Sequence, residues 1–170
     1  MLLAKRSPFE LAYVLDDQAR LLVADDDPIL REFAKVHLAG PAVTIDTVGD
    51  GIEAWERLAE TTFDMALVDL DMPRLDGLGL IMRIRSDERL ATLPVVVITG
   101  RDDLFAIDRA YEVGATSYVT KPLNWRLLSY QLRFVLRADR AAHAAAAAAA
   151  RASATTELAD TTAAITDTAA

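Results

Sequence analysis

The chain contains no cysteine, which excludes disulfides and thiolate metal centres. It has two histidines, His37 and His143, far apart and in unlike contexts, so an imidazole-built zinc site is not expected. Basic residues are few beside acidic ones, 18 against 26, and the formal net charge is −8. That balance argues against a general binder of nucleic acid or of an anionic membrane. No apolar run reaches the ~18 residues that a transmembrane helix needs. The opening "MLLAKRSPFELAY" lacks a long apolar stretch followed by a small-residue cleavage site. These absences leave a cytoplasmic protein as the expectation. Its 170 residues suffice for one domain with a core, plus additional segments.

What the chain does have is alternation. Ser7, Pro8 and Glu10 suit a helix start, which predicts a short extra helix from about Pro8 to Asp16. Short apolar runs then read as strands at 20–25, 42–48, 64–69, 93–100 and 116–120. The run at 42–48 alternates as an edge strand does. Between them, 3.6-residue periodicity predicts helices following Asp27-Pro28 to Gly40 and over 50–60, 77–90 and 102–115, with a last one over 124–140. Strands and helices in strict alternation imply a parallel α/β sheet covered on both faces. In such folds the reactive crevice lies beyond the carboxyl ends of the strands.

Those ends carry a distinctive set. The first strand runs into Asp25-Asp26-Asp27, the third ends on Asp69, the fourth on Thr99-Gly100, and Lys121-Pro122 follows the fifth. Each residue alone has a plain explanation: Asp27-Pro28 is a good helix cap, and a lone lysine is ordinarily a solvated one. Together they are a chemistry. Carboxylates gathered at one place repel one another unless a cation joins them. Oxygen ligands without histidine or cysteine suit Mg²⁺ or Mn²⁺. A lysine and a hydroxyl beside them complete a cradle for a phosphoryl group, and a carboxylate in line with a phosphoryl donor can act as its nucleophile.

The motifs "LLVADDDP", "ALVDLDMPRLDG", "VVVITG" and "SYVTKP", in this order and spacing, resemble the response-regulator receiver domains of two-component signalling. The resemblance covers about 20–140, leaving 1–19 as an N-terminal extension and 141–170 as an Ala/Thr-rich extension and tail. It implies a flavodoxin-like, doubly wound five-stranded parallel sheet in the order 2-1-3-4-5. By position it makes Asp69 the phosphoacceptor and Asp25 and Asp26 the acidic pair for Mg²⁺ (or Mn²⁺), with Asp26 the more direct ligand. Asp71 would add its backbone carbonyl, Thr99 would sense the phosphoryl group, Tyr118 would change rotamer, and Lys121 would pair with the phosphate through a cis bond to Pro122. Asp71 and Arg101 stand where the family varies, and an ion pair between them would modulate the lifetime of the acyl phosphate.

The partners so implied are a histidine kinase or phosphotransfer protein and a downstream protein target, with no nucleic acid and no membrane. A homodimer through helix 4, strand 5, helix 5 and the extended last helix is the further expectation. The resemblance implies no enzyme beyond catalysis of the domain's own phosphorylation and dephosphorylation. Two alternatives remain: a phosphorelay shuttle without an output of its own, and a haloacid-dehalogenase-like phosphatase. The latter uses nearly the same residue types, yet places Asp-x-Asp on its first strand and its acidic pair last. Here the pair comes first, and nothing after Lys121 supplies a late one. No folded output domain is expected after residue 140. Alanine's helix propensity would carry the last helix to about residue 152.

Overall fold

In the computed structural model the described residues are 15, 17–100 and 104–167, with side chains described to residue 155. The helix expected near Pro8 to Asp16 lies outside them. The elements are β1 (Ala19–Ala24), α1 (Pro28–Leu38), β2 (Val43–Val48), α2 (Gly51–Glu60), β3 (Met65–Asp69), α3 (Gly77–Ser86), β4 (Val95–Thr99), α4 (Leu104–Glu112), β5 (Ser117–Thr120) and α5 (Trp125–Asp167). All strands are parallel, in the order β2-β1-β3-β4-β5. The fold is the flavodoxin-like one, and β2 is an edge strand.

The continuous apolar strand sequences follow from burial on both faces. Because successive side chains alternate, Leu21, Val23, Met65, Leu67, Val96 and Ile98 join one core with Leu30, Ala34 and Leu38 of α1 and Leu128, Leu132 and Leu136 of α5. Leu22, Ala24, Ala66, Val68, Val95 and Val97 join the other with Ala54, Leu58, Leu80, Ile81 and Ile84 of α2 and α3. The surplus apolar residues of α5 stay outside: Leu127 and Phe134 are 64% and 72% exposed.

Most boundaries shift by a few residues from the sequence reading, and three of the shifts have a visible consequence or cause. β1 stops at Ala24, so Asp25 is the first residue past the strand. α3 ends at Ser86 and not near Leu90. There Asp87 turns extended and accepts hydrogen bonds from the backbone and side chain of Arg89, a local competitor to the helix. α5 continues to Asp167, well past the expected end. The alanines lose no side-chain entropy in a helix, and the Ser153 and Thr155 hydroxyls donate to carbonyls one turn back. The chain divides into two units after Leu136, the last α5 residue in the core. From 141 to 155 every side chain of the second unit is exposed.

One joint ties the back of α3 to the end of α4. Arg85 is half-buried, and its guanidinium donates to the carbonyls of Leu90, Ala91, Leu93 and Gly114. Burial alone lowers its pKa. Gly114 has φ +104, and a Cβ there would sit 2.9 Å from the Arg85 side chain. Glycine answers both demands.

Candidate functional site

The strand register brings the expected residues to one edge. Asp69 pairs with Ile98 and Thr99 with Thr120. Beyond them Asp25 N–H donates to Val48 O at 3.2 Å, Leu70 N–H to Ile98 O at 3.3 Å and Lys121 N–H to Thr99 O at 2.8 Å. The sheet ladder thus runs one residue past each strand and fixes the backbone of all three. The three consecutive aspartates have separate duties. Asp27 caps α1, its Oδ1 accepting from Ile29 N–H at 2.8 Å. Asp25 is fully buried, its Oδ1 accepts from Asp27 N–H at 2.9 Å, and its carbonyl accepts from Arg31 Nη1 at 2.7 Å. Asp26 is exposed at the rim.

Asp25, Asp26 and Asp69 each bring a carboxylate oxygen within 4.8 Å of the others. Lys121 Nζ lies 2.9 Å from Oδ2 of Asp25 and of Asp69. Its ammonium is aligned to donate to Asp69, whereas toward Asp25 the contact is ionic, and Asp25 Oδ2 is a buried acceptor without a hydrogen bond. Asp71 N–H approaches Asp69 Oδ1 at 3.4 Å. Burial pushes the Asp69 carboxyl above its ordinary range; Lys121 pulls it down, and Asp25 adds to the rise. For Lys121 burial works the other way, but its contacts with Asp25 and Asp69 outweigh that and hold the ammonium above the usual lysine value. An all-oxygen donor set in which one buried carboxylate oxygen is met only by an ion pair fits a hard divalent cation.

Thr99 is fully buried at the end of β4. Among the described residues, a Cβ on the next residue, Gly100, would meet nothing within 4 Å. The Lys121–Pro122 bond is cis. Tyr118 is half-buried, with its ring edge-on to Tyr111 of α4 at 6.0 Å. Gln131 of α5 donates to Tyr118 O and Ser117 Oγ. Arg101 lies outside the described residues, so the Asp71–Arg101 pair does too. Gly77, the first residue of α3, is fixed by a close approach. A Cβ there would collide with the carbonyl oxygen of Asp69 and lie 2.8 Å from Leu70 Cα, so α3 starts against the backbone of Asp69 itself. Sequence reasoning missed Asp50 and Arg74. Arg74, in the loop after Asp69, donates through Nε and Nη2 to Oδ2 of Asp50, the N-cap of α2.

Residues 21–133 match the family model of the response regulator receiver domain. The chain belongs to this family of two-component signalling domains. It is 34% identical over 128 residues to the transcriptional regulatory protein CseB of Streptomyces coelicolor, covering 75% of this chain and 53% of that protein. It is 40% identical over 102 residues to the DNA-binding transcriptional regulator NtrC of Escherichia coli, covering 60% of this chain and 21% of that one. The chain spans about half the length of the curated relatives it matches first. Among solved structures, the receiver domain of a signal transduction histidine kinase from Syntrophus aciditrophicus is 28% identical with a TM-score of 0.66, over 71% of this chain and 91% of that one. Chemotaxis protein CheY4 of Vibrio cholerae is 25% identical with a TM-score of 0.66, over 69% and 98%. Among the described residues no helix is long and apolar enough to cross a membrane.

Proposed function

We propose that Asp69 takes a phosphoryl group from a phosphohistidine on a histidine kinase or phosphotransfer protein, within a receiver domain spanning 20–140 flanked by extensions 1–19 and 141–170. The observation that carries this is the Lys121 ammonium 2.9 Å from Asp69 Oδ2, inside an all-carboxylate cluster. A carboxylate oxygen of Asp69 attacks phosphorus, the P–N bond of the donor breaks, and its electron pair returns to the imidazole. Lys121 then exchanges its carboxylate contact for a phosphoryl oxygen, and the Thr99 hydroxyl donates to another. Asp25, Asp26, Asp69 and the Asp71 carbonyl would hold Mg²⁺ or Mn²⁺, which supplies positive charge against the repulsion between carboxylates and phosphoryl oxygens.

The switch follows from what Thr99 and Lys121 adjoin. Their backbones are bonded to one another across β4 and β5, and β5 touches α4 through Tyr118–Tyr111 and α5 through Gln131. Movement toward the phosphoryl group reaches the α4–β5–α5 face, where Leu104, Tyr111, Leu127 and Phe134 are exposed. That face is the surface for a downstream protein or a second copy.

Incubation with acetyl phosphate and Mg²⁺ tests the reading by mass spectrometry. An acid- and hydroxylamine-labile phosphoryl adduct that disappears in Asp69→Asn is expected. Labelling that persists in the variant, or steady turnover of a generic phosphoester, would overturn it.

A further inference from the structure

The loop between β3 and α3 is held in an unusual way. Arg74 has φ 63, a value uncommon for a residue with a side chain. Leu75 N–H donates to Pro73 O at 2.7 Å, which makes Arg74 the centre of the positive-φ form of the γ-turn, rare and strained. A strained turn persists where its surroundings hold it. Here the holder is one carboxylate. Asp50 Oδ2 accepts both Nε and Nη2 of Arg74, while Oδ1 accepts the N–H groups of Ile52 and Glu53 at 2.8 and 2.9 Å. Glu53 Oε1 stands 3.6 Å from the same guanidinium. Asp50 stays ionised against its burial through the Glu53 N–H, Arg74 and the Ile52 N–H, and Arg74 is held above its ordinary value chiefly by Asp50. At its base the loop is closed by Gly77 N–H to Leu70 O at 3.0 Å. Asp71 lies between these two fixed points.

We propose that the Asp50–Arg74 pair is a positioning device for the divalent cation: it fixes the loop so that the Asp71 carbonyl faces the carboxylate cluster. This rests on the metal reading given under Proposed function. Asp50 and Arg74 touch neither metal nor phosphate; they act through Asp71. α2 is thereby mechanically joined to the site, 24 residues away in sequence.

The test is Mn²⁺ binding to the full chain, read from the loss of the free-ion paramagnetic resonance signal, beside thermal midpoints in EDTA. Arg74→Ala removes the pair. Arg74→Gly removes it while easing the turn. Asp50→Asn keeps an N-cap but removes the charge. Each is expected to weaken Mn²⁺ about tenfold, as loss of an outer partner of a metal ligand does. The Asp50→Asn/Arg74→Ala double variant is expected to weaken it no further, because both changes break one link. Wild-type affinity in Arg74→Gly or Asp50→Asn, or additive losses in the double variant, would overturn the proposal while leaving the metal site standing. Failure of the wild-type chain to take up Mn²⁺, or undiminished uptake by Asp26→Asn, would overturn both readings together. A lowered midpoint in EDTA with unchanged Mn²⁺ affinity would reduce the pair to a prop for the fold and overturn the proposal.

Discussion

At the residue scale, Asp69 stands between opposing demands. In its proposed role as phosphoacceptor it must be ionised to attack phosphorus, yet burial and Asp25 raise its pKa and only Lys121 opposes them strongly. In the absence of divalent cations the folded chain keeps a proton on Asp69 over a range in which the unfolded chain has lost it. Stability from this group therefore falls as pH climbs from 3.8 to the raised value, and is level above it. Asp46 and Asp50 behave oppositely. Burial opposes their charge, but Arg20 and Arg57 for the first, and backbone N–H groups with Arg74 for the second, hold them low. Their stabilisation is present above 3.8 and is lost as pH falls through their lowered values. Melts of the wild type and Asp69→Asn in EDTA across acid to neutral pH should show the variant gaining relative stability as pH rises through the Asp69 window, then a constant gap. A gap independent of pH would contradict the raised value. Asp71 belongs to this scale too. Its side chain is exposed and its N–H approaches Asp69 Oδ1, and Asp71→Asn should change the rate at which the phosphoryl group is lost, followed by decay of the labelled adduct.

At the scale of elements, Gly77 sets propensity against packing. Glycine to alanine in a helix ordinarily helps by ~1 kcal/mol, but here the new methyl would strike the Asp69 carbonyl and the Leu70 backbone. Gly77→Ala is expected to destabilise by about 1–3 kcal/mol, measured by urea unfolding, and to disturb labelling of Asp69. The strands and their edge residues were legible in the sequence because two-sided burial leaves unbroken apolar runs, and because the ladder places Asp25, Asp69 and Lys121 just at or past the strand ends. Less legible was what side chains decide locally: Asp87 stopping α3, or the alanines that carry α5 to Asp167. The Asp50–Arg74 link was not legible at all. Asp50 reads as a helix cap, Arg74 as a loop residue, and no local pattern joins two positions on different elements.

At the scale of the whole molecule, the sheet unit and the continuation of α5 rest on different physics. The sheet unit has two cores, one on each face. The alanine-rich stretch has exposed side chains from 141 to 155 and is helical through propensity alone, which gives gradual rather than cooperative melting. Circular dichroism should show a sloping loss of helix before the cooperative transition. Removing residues 141–170 should abolish the slope and leave the midpoint unchanged; a lowered midpoint would mean that the stretch stabilises the sheet unit. Arg85 has a consequence for how such a sequence can drift over time. Its joint is made to four main-chain carbonyls, which every amino acid carries. The identities at positions 90, 91 and 93 are therefore free of it, while Arg85 and Gly114 are bound to each other. Descendants of this chain can rewrite much of the α3–β4 connection without loosening it, but can lose it in a single step at either of those two positions.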